Sequence, residues 1–138
     1  MVIDSSALIA ILLNEPETEA FARAIAKDPR RLVSVFSVLE AGIVIEAKKG
    51  DAGGRELDLL MHRAGMEPIA MDAAQVELAR HAWRSFGKGR HAAGLNIGDC
   101  CSYALSKHSG EPLLFKGMDL SKTDIHTVLS IKEAESQE

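Results

Sequence analysis

Apolar residues recur along this chain at two spacings, one suited to strands and one to helices. Val2 and Ile3 run directly into Asp4, which predicts a short buried strand ending in an acid. Ser5 and Ser6 precede the apolar run Ala7–Leu13, so a helix starts just behind that strand. Asn14, Glu15 and Pro16 break the pattern, and Pro16 is well placed to open a second helix. Its apolar positions Ala20, Phe21, Ala24 and Ile25 repeat at helical spacing until Asp28-Pro29. Leu32–Phe36 reads as a second strand, and Ser37 to Glu40 opens a long helix, with Leu39, Ile43, Val44 and Ala47 among its apolar residues, to Lys49-Gly50.

Gly53-Gly54 marks a linker before another helical pattern over Arg55–Arg63, where Leu57, Leu60 and Met61 face one way. Glu67–Met71 is a third strand, and Asp72 to Gln75 has the form of a capping box for a helix through Trp83. Phe86–Asn96 is glycine-rich and carries Lys88, Arg90 and His91, so it predicts a mobile basic loop. A further helix begins at or near Asp99, and Pro112–Phe115 is a fourth strand leading to Asp119. Strands alternating with helices at these lengths predict an α/β fold, a three-layer α/β/α sandwich around a mostly parallel sheet with right-handed crossovers. Residues 1–132 form the expected single domain and residues 133–138 a polar, frayed tail.

Composition narrows the chemistry. At 138 residues, 46% hydrophobic and 26% charged, the chain is an ordinary globular domain able to bury a core. Aromatics at 4% argue against stacking platforms as the main means of holding single strands. A net charge of −4 is the wrong sign for a nucleic-acid binder relying on its own field. If such a ligand is handled, a divalent cation must supply positive charge. Cys100 and Cys101 are adjacent, without the spacing of a metal or redox motif, and read as small buried side chains. Neither a leader nor a membrane-length apolar run is present, which makes the cytoplasm the default location.

Four acids fall where an open α/β sheet gathers its ligands, outside the carboxyl ends of the strands. Asp4 ends the first strand, Glu40 lies in the first turn of the helix after the second, Asp99 heads a late helix, and Asp119 follows the fourth strand. Each has a plainer reading. Asp4 caps a helix, Glu40 completes a box with Ser37, Asp99 suits a helix N-terminus, and Asp119 follows a glycine turn. Capping alone does not ask for four acids at one rim. Convergent carboxylates repel, and a hard cation held by oxygens offsets this, Mg²⁺ with Mn²⁺ as substitute. Such an ion can neutralise a phosphate and lower the pKa of a water, as phosphodiester hydrolysis requires. The five histidines are scattered, and neither a P-loop, a dinucleotide fingerprint nor a nucleophile elbow occurs. Lys88, Arg90 and His91 are candidates for phosphate contacts or simply a solvated loop.

Val2–Leu8, Glu40 within Ser-Val-Leu-Glu-Ala, Leu95–Cys100 with Ser102–Leu105, and Leu113–Leu120 followed by Thr123–Ile125 together resemble a PIN domain. More narrowly they resemble VapC-type ribonuclease toxins of bacterial toxin–antitoxin pairs, over nearly the whole chain. The resemblance implies a metal-dependent endoribonuclease, control by a small cognate antitoxin, an RNA substrate and a homodimer. It assigns Asp4, Glu40, Asp99 and Asp119 as the acidic quartet, Asp4 and Asp99 as the direct Mg²⁺ ligands, and Ser6 as a supporting hydroxyl. Ser5 stands for the usual Thr, Leu120 for a common Phe, and Met118 for a position often acidic or polar. An antitoxin is expected to present a basic side chain to the acids and an apolar segment to Leu8, Ile11, Leu12 and Phe21. Two alternatives are a haloacid-dehalogenase-like phosphatase and a receiver-like Mg²⁺-binding regulatory domain. The first needs a second acid where Ser6 stands, and the second an adjacent acidic pair where only Asp4 is found.

Overall fold

The computed structural model describes residues 1–129. Strands β1 (Val2–Ile3), β2 (Leu32–Ser34), β3 (Glu67–Ile69) and β4 (Leu113–Leu114) form a sheet in the order β3-β2-β1-β4. Every pairing is parallel, with Val2 opposite both Leu32 and Leu113, and Ile3 opposite Leu114. Around the sheet lie α1 (Ser5–Leu12), α2 (Thr18–Lys27), α3 (Val35–Lys49), α4 (Asp51–Arg63), α5 (Ala73–Phe86) and α6 (Ile97–Ser109), followed by a 3-10 turn at Leu120–Lys122.

Strand alternation sorts the core into two layers. Ile3, Val33 and Leu114 pack with Leu8, Phe21, Ile45 and Leu57 of α1–α4. Their neighbours Val2, Leu32 and Leu113 pack on the other side with Ala82 of α5 and Tyr103 and Leu105 of α6. Helices therefore cover both faces, the three-layer sandwich the sequence predicts. A strand covered on both faces is apolar throughout, and Val2 and Ile3 are fully buried. β1 lies inside the sheet, so Asp4 leaves its carboxyl end at the middle of one rim.

Several boundaries differ from the sequence reading. Val35 and Phe36 are the first turn of α3, because the Ser34 hydroxyl accepts from Phe36 N at 3.3 Å and caps the helix early. Ser37 is then free of capping and faces Ser102 instead, with 3.2 Å between hydroxyls. Gly53-Gly54 is no linker but part of α4. A Cβ on Gly53 would stand 2.6 Å from the Ile45 carbonyl oxygen, so the glycine serves close contact between α3 and α4. Asp72 does cap α5, accepting from Gln75 N, but the Gln75 amide turns to the Ala70 carbonyl rather than closing the box. The basic loop after α5 is closed on itself by Lys88 N to Leu95 O and Leu95 N to Phe86 O. Leu39 and Ile43 stay outside the core, 60% and 61% exposed, whereas Leu8 and Phe21 lie wholly inside it and are closed to any partner. The predicted tail at 133–138 lies outside the described residues.

Candidate active site

Asp4 is 3% exposed and is both a helix cap and a preset acid. One carboxylate oxygen accepts from Ser6 N at 3.0 Å and from the Ser6 hydroxyl at 2.6 Å. The other accepts from the Ser102 hydroxyl at 2.5 Å. Three donors on one carboxylate fix its orientation, and each oxygen keeps lone-pair capacity for a further ligand. The capping explanation and the site explanation are thus the same geometry.

Glu40 is half-buried on α3 and accepts from the Ser5 hydroxyl at 2.5 Å. It makes no capping box, since Ser34 has taken the cap. Opposite it comes Gly98, where a Cβ would lie 2.6 and 2.7 Å from the two Glu40 carboxylate oxygens. Glycine at this position lets the first turn of α6 close onto Glu40.

Asp99 stands in that turn. α6 begins at Ile97 with Asn96 as its cap, two residues before the start read from sequence. Asn96 and Asp99 exchange the two bonds of a capping box, Asp99 N to the Asn96 side chain at 2.9 Å and Asn96 N to the Asp99 carboxylate at 3.1 Å. Burial pushes the Asp99 carboxyl up to about 6. The charges of Asp4, Asp119 and Glu40 act in the same direction, against the lowering bond from Asn96.

Asp119 is exposed, beyond a turn that places Gly117 at a φ of 97°. The root of this turn is anchored by Lys116. Its backbone N donates to the Ser6 hydroxyl at 2.9 Å, and its ammonium pairs with Glu15 at 2.8 Å and Glu17 at 3.1 Å. Ser6 therefore joins the ends of β1 and β4. Ser5, Ser37, Gly98, Ser102 and Lys116 are the members of this site that sequence reasoning missed. Ser102 had a usable signal, a hydroxyl one helical turn after Asp99 on a stretch of α6 that is otherwise apolar.

The three candidate phosphate contacts separate. Lys88 and Arg90 line a groove whose opposite wall is the first turn of α6. His91 is turned to a local role, its Nδ1 accepting from Ala93 N at 2.9 Å and its ring meeting Phe86 edge-on. Cys100 and Cys101 are buried and unpaired, and burial, with nearby negative charge, pushes both thiols up to about 11. A raised thiol holds little thiolate at neutral pH, which suits small core side chains.

Oxygen-only donors and a shortage of positive charge suit a hard cation at the acids. Among the described residues no three acid, imidazole or thiol groups stand ready to grip one ion together. Of the acids, Asp4 is the buried one whose fixed carboxylate keeps lone pairs free for such an ion.

Comparison with known proteins agrees with the geometry. The pattern of the PIN domain family matches residues 1–125. Ribonuclease VapC30 of Mycobacterium tuberculosis is 57% identical over 128 residues, covering 93% of this chain and 98% of that protein. The crystal structure of M. tuberculosis VapC20, described as a toxin that cleaves the sarcin–ricin loop, superposes with a TM-score of 0.72 at 16% identity. The match covers 90% of this chain and 95% of that one. A toxin–antitoxin complex from Klebsiella pneumoniae contains a chain with a TM-score of 0.70 at 13% identity, covering 94% and 98%. These two solved structures share the fold.

Proposed function

The chain belongs to the PIN domain family, and from that membership we propose that it is a Mg²⁺-dependent endoribonuclease, the toxin of a toxin–antitoxin pair. The buried Asp4 carboxylate at the carboxyl end of β1, held by three donors with lone pairs to spare, is the observation that carries the reading. Asp4 and Asp99 would hold the ion, with Mn²⁺ as a substitute, and it would supply positive charge against a phosphate and make a water more acidic. Glu40, oriented by the Ser5 hydroxyl, and Asp119 are the carboxylates that would position the attacking water or take its proton. Ser6 and Ser102 keep Asp4 aimed at the cleft. The phosphatase reading is not carried further, because Ser6 occupies the place of its second acid and is bonded to Asp4.

A small antitoxin controls the enzyme by presenting an arginine to the acids, the side chain best shaped for bidentate carboxylate contact. The name of the 57% identical relative and the toxin–antitoxin neighbour support such a partner. A homodimer fits the row Val35, Leu39 and Ile43, spaced one turn apart along α3 and exposed. Among the described residues no helix is long and apolar enough to cross a membrane, and we assign the activity to the cytoplasm, where RNA is available.

The test is cleavage of RNA with Mg²⁺, with Mn²⁺ and with excess EDTA. Cleavage should need either ion and stop in EDTA. Undiminished cleavage in EDTA would end the metal reading, and inertness toward RNA under all three conditions would end the ribonuclease reading.

A further inference from the structure

Asp119 is the acid of the quartet with the least support of its own. It heads the 3-10 turn at Leu120–Lys122 without capping it, and Gly117, Met118 and Asp119 are all exposed. A segment that buries no side chain has its place set from its two ends. Leu120 anchors the far end, 3% exposed in the layer of Ala82 and Tyr103. Lys116 anchors the near end.

Lys116 does so twice. Its N–H donates to the Ser6 hydroxyl, which donates in turn to Asp4. Its ammonium reaches the segment between α1 and α2, 2.8 Å from Glu15 Oε2 and 3.1 Å from Glu17 Oε2. That segment is shaped to receive it. Asn14 takes a φ of 52°, and Pro16 fixes a backbone angle between the two acids. Glu17 is buried, and among the described residues its Oε2 accepts no well-aligned hydrogen bond. The Lys116 ammonium is the positive charge that compensates it. A buried carboxylate left without its partner is costly, which holds the pair in one arrangement. Among the described residues the ammonium pairs with Glu15 and Glu17 and with none of the four site acids. Its bearing on the site is therefore through position.

We propose that Lys116 is a positioning residue for the reaction, its ion pairs with Glu15 and Glu17 fixing where the turn presents Asp119 and holding the Lys116 N–H on Ser6. The proposal rests on the ribonuclease reading and names the support of its most exposed acid. Lys116 touches the first turn of α1 through Ser6 and the segment beyond its end through Glu15 and Glu17. α1 is thus the rigid bar against which the turn after β4 is set. A carboxylate that must meet a water beside one phosphorus atom loses effect steeply when displaced, by about a hundredfold for 1 Å.

Lys116→Met keeps the apolar stem of the side chain and removes its charge. In single-turnover cleavage with Mg²⁺ it should lower kcat about 10–100-fold with KM unchanged, and Lys116→Arg should retain most of the rate. Made together with Asp119→Asn, Lys116→Met should cost no more than about a further twofold, because the carboxylate it positions is already gone. Glu17→Gln, which leaves no buried charge unpaired, should show a smaller loss that likewise vanishes beside Asp119→Asn. It carries the test if Lys116→Met does not fold. In EDTA, hydrogen exchange at the amides of residues 116–119 should quicken in Lys116→Met while those of β1 and α6 stay protected. A loss of the same size with and without Asp119→Asn would overturn the proposal, since a merely stabilising pair acts independently of that acid. Unchanged kcat in both Lys116→Met and Glu17→Gln would overturn it too. Unchanged exchange would do so whether or not RNA is cleaved, whereas wild type that cleaves no RNA under any condition fails at the earlier step.

Discussion

Asp99 and the basic groove along α5 share the first turn of α6, and the acids and the groove's cations are held in opposite ways. Three of the acids are held by short-range donors: buried Asp4 by Ser6 and Ser102, half-buried Glu40 by Ser5, and half-buried Asp99 by the Asn96 backbone. The cations of the groove stand on long stems at the surface, and Arg84 and Lys88 are held by no carboxylate among the described residues. A rigid array of like charges costs stability and gives fixed geometry, as chemistry on one phosphorus atom requires. Mobile cations give affinity that tolerates sequence and is weakened by salt. Damage to the first region should therefore appear in kcat, and damage to the second in KM.

The largest expected effect breaks the acid side outright. Asp4→Asn keeps the shape of a side chain that three donors hold in place but removes a charge from the proposed ligands of the ion. Loss of several kcal/mol of charge stabilisation corresponds to at least about a thousandfold in kcat. In EDTA the same variant should bind an oligoribonucleotide as well as wild type or better, because one repelling charge is gone. Single-turnover cleavage and anisotropy on one preparation check both parts. Equal losses in cleavage and binding would abolish the distinction between the two regions.

Ser102→Ala sharpens it. The Ser102 hydroxyl touches Asp4 and Ser37 and is buried, so it acts only through its neighbours. Outer-shell partners of metal ligands are typically worth about 10–100-fold in activity or metal affinity. The expectation is a loss of that size, with the Mg²⁺ concentration for half-maximal rate shifted upward and KM for RNA unchanged. Gly98→Ala should follow with a loss of similar or smaller size, since its Cβ would press on the Glu40 carboxylate. A shift in KM alone for either variant would contradict the division of labour.

Much of this arrangement was legible in the sequence, and the unread parts share a physical cause. Asp4, Glu40, Asp99 and Asp119 could be singled out because strand-ending and helix-opening acids depend on local order, which periodicity reports. Asp4 paired with Ser102, 98 residues away, depends on α6 crossing back over β1, and no local pattern encodes that meeting. Gly53 shows the same limit. A glycine pair reads as a linker until the neighbouring helix is seen to need the space. Leu39 and Ile43 sit at helical spacing like core residues yet face outward, because periodicity identifies an apolar face without saying what covers it. Val35 and Phe36 were read as strand on β-branched and aromatic content, and a serine cap overrode that preference.

The smallest effect tests whether the acids oppose one another in the absence of metal. At Asp99 two contributions compete. The helix N-terminus and the Asn96 bond favour a charged carboxylate, the former by roughly 0.3–1 kcal/mol. Burial and the charges of Asp4, Asp119 and Glu40 disfavour it, and they prevail, raising the carboxyl from 3.8 to about 6. A raised acid holds more protons in the folded protein than in the unfolded chain between those two values, so stability falls as pH rises through that window and levels above it. Asp99→Asn removes the titration while its amide oxygen can still accept from Asn96. In EDTA the variant should therefore melt close to wild type near pH 4 and above it by pH 7. The gap is on the order of 1 kcal/mol after solvent screening, about 3–5 °C for a domain of this size. Adding Mg²⁺ should narrow or reverse it, since the ion stabilises only the protein that binds it well. Thermal melts across pH 4–7.5, with and without Mg²⁺, measure all of this. A gap that does not change with pH, or a variant less stable than wild type at pH 7 in EDTA, would mean that the capping bonds outweigh the repulsion.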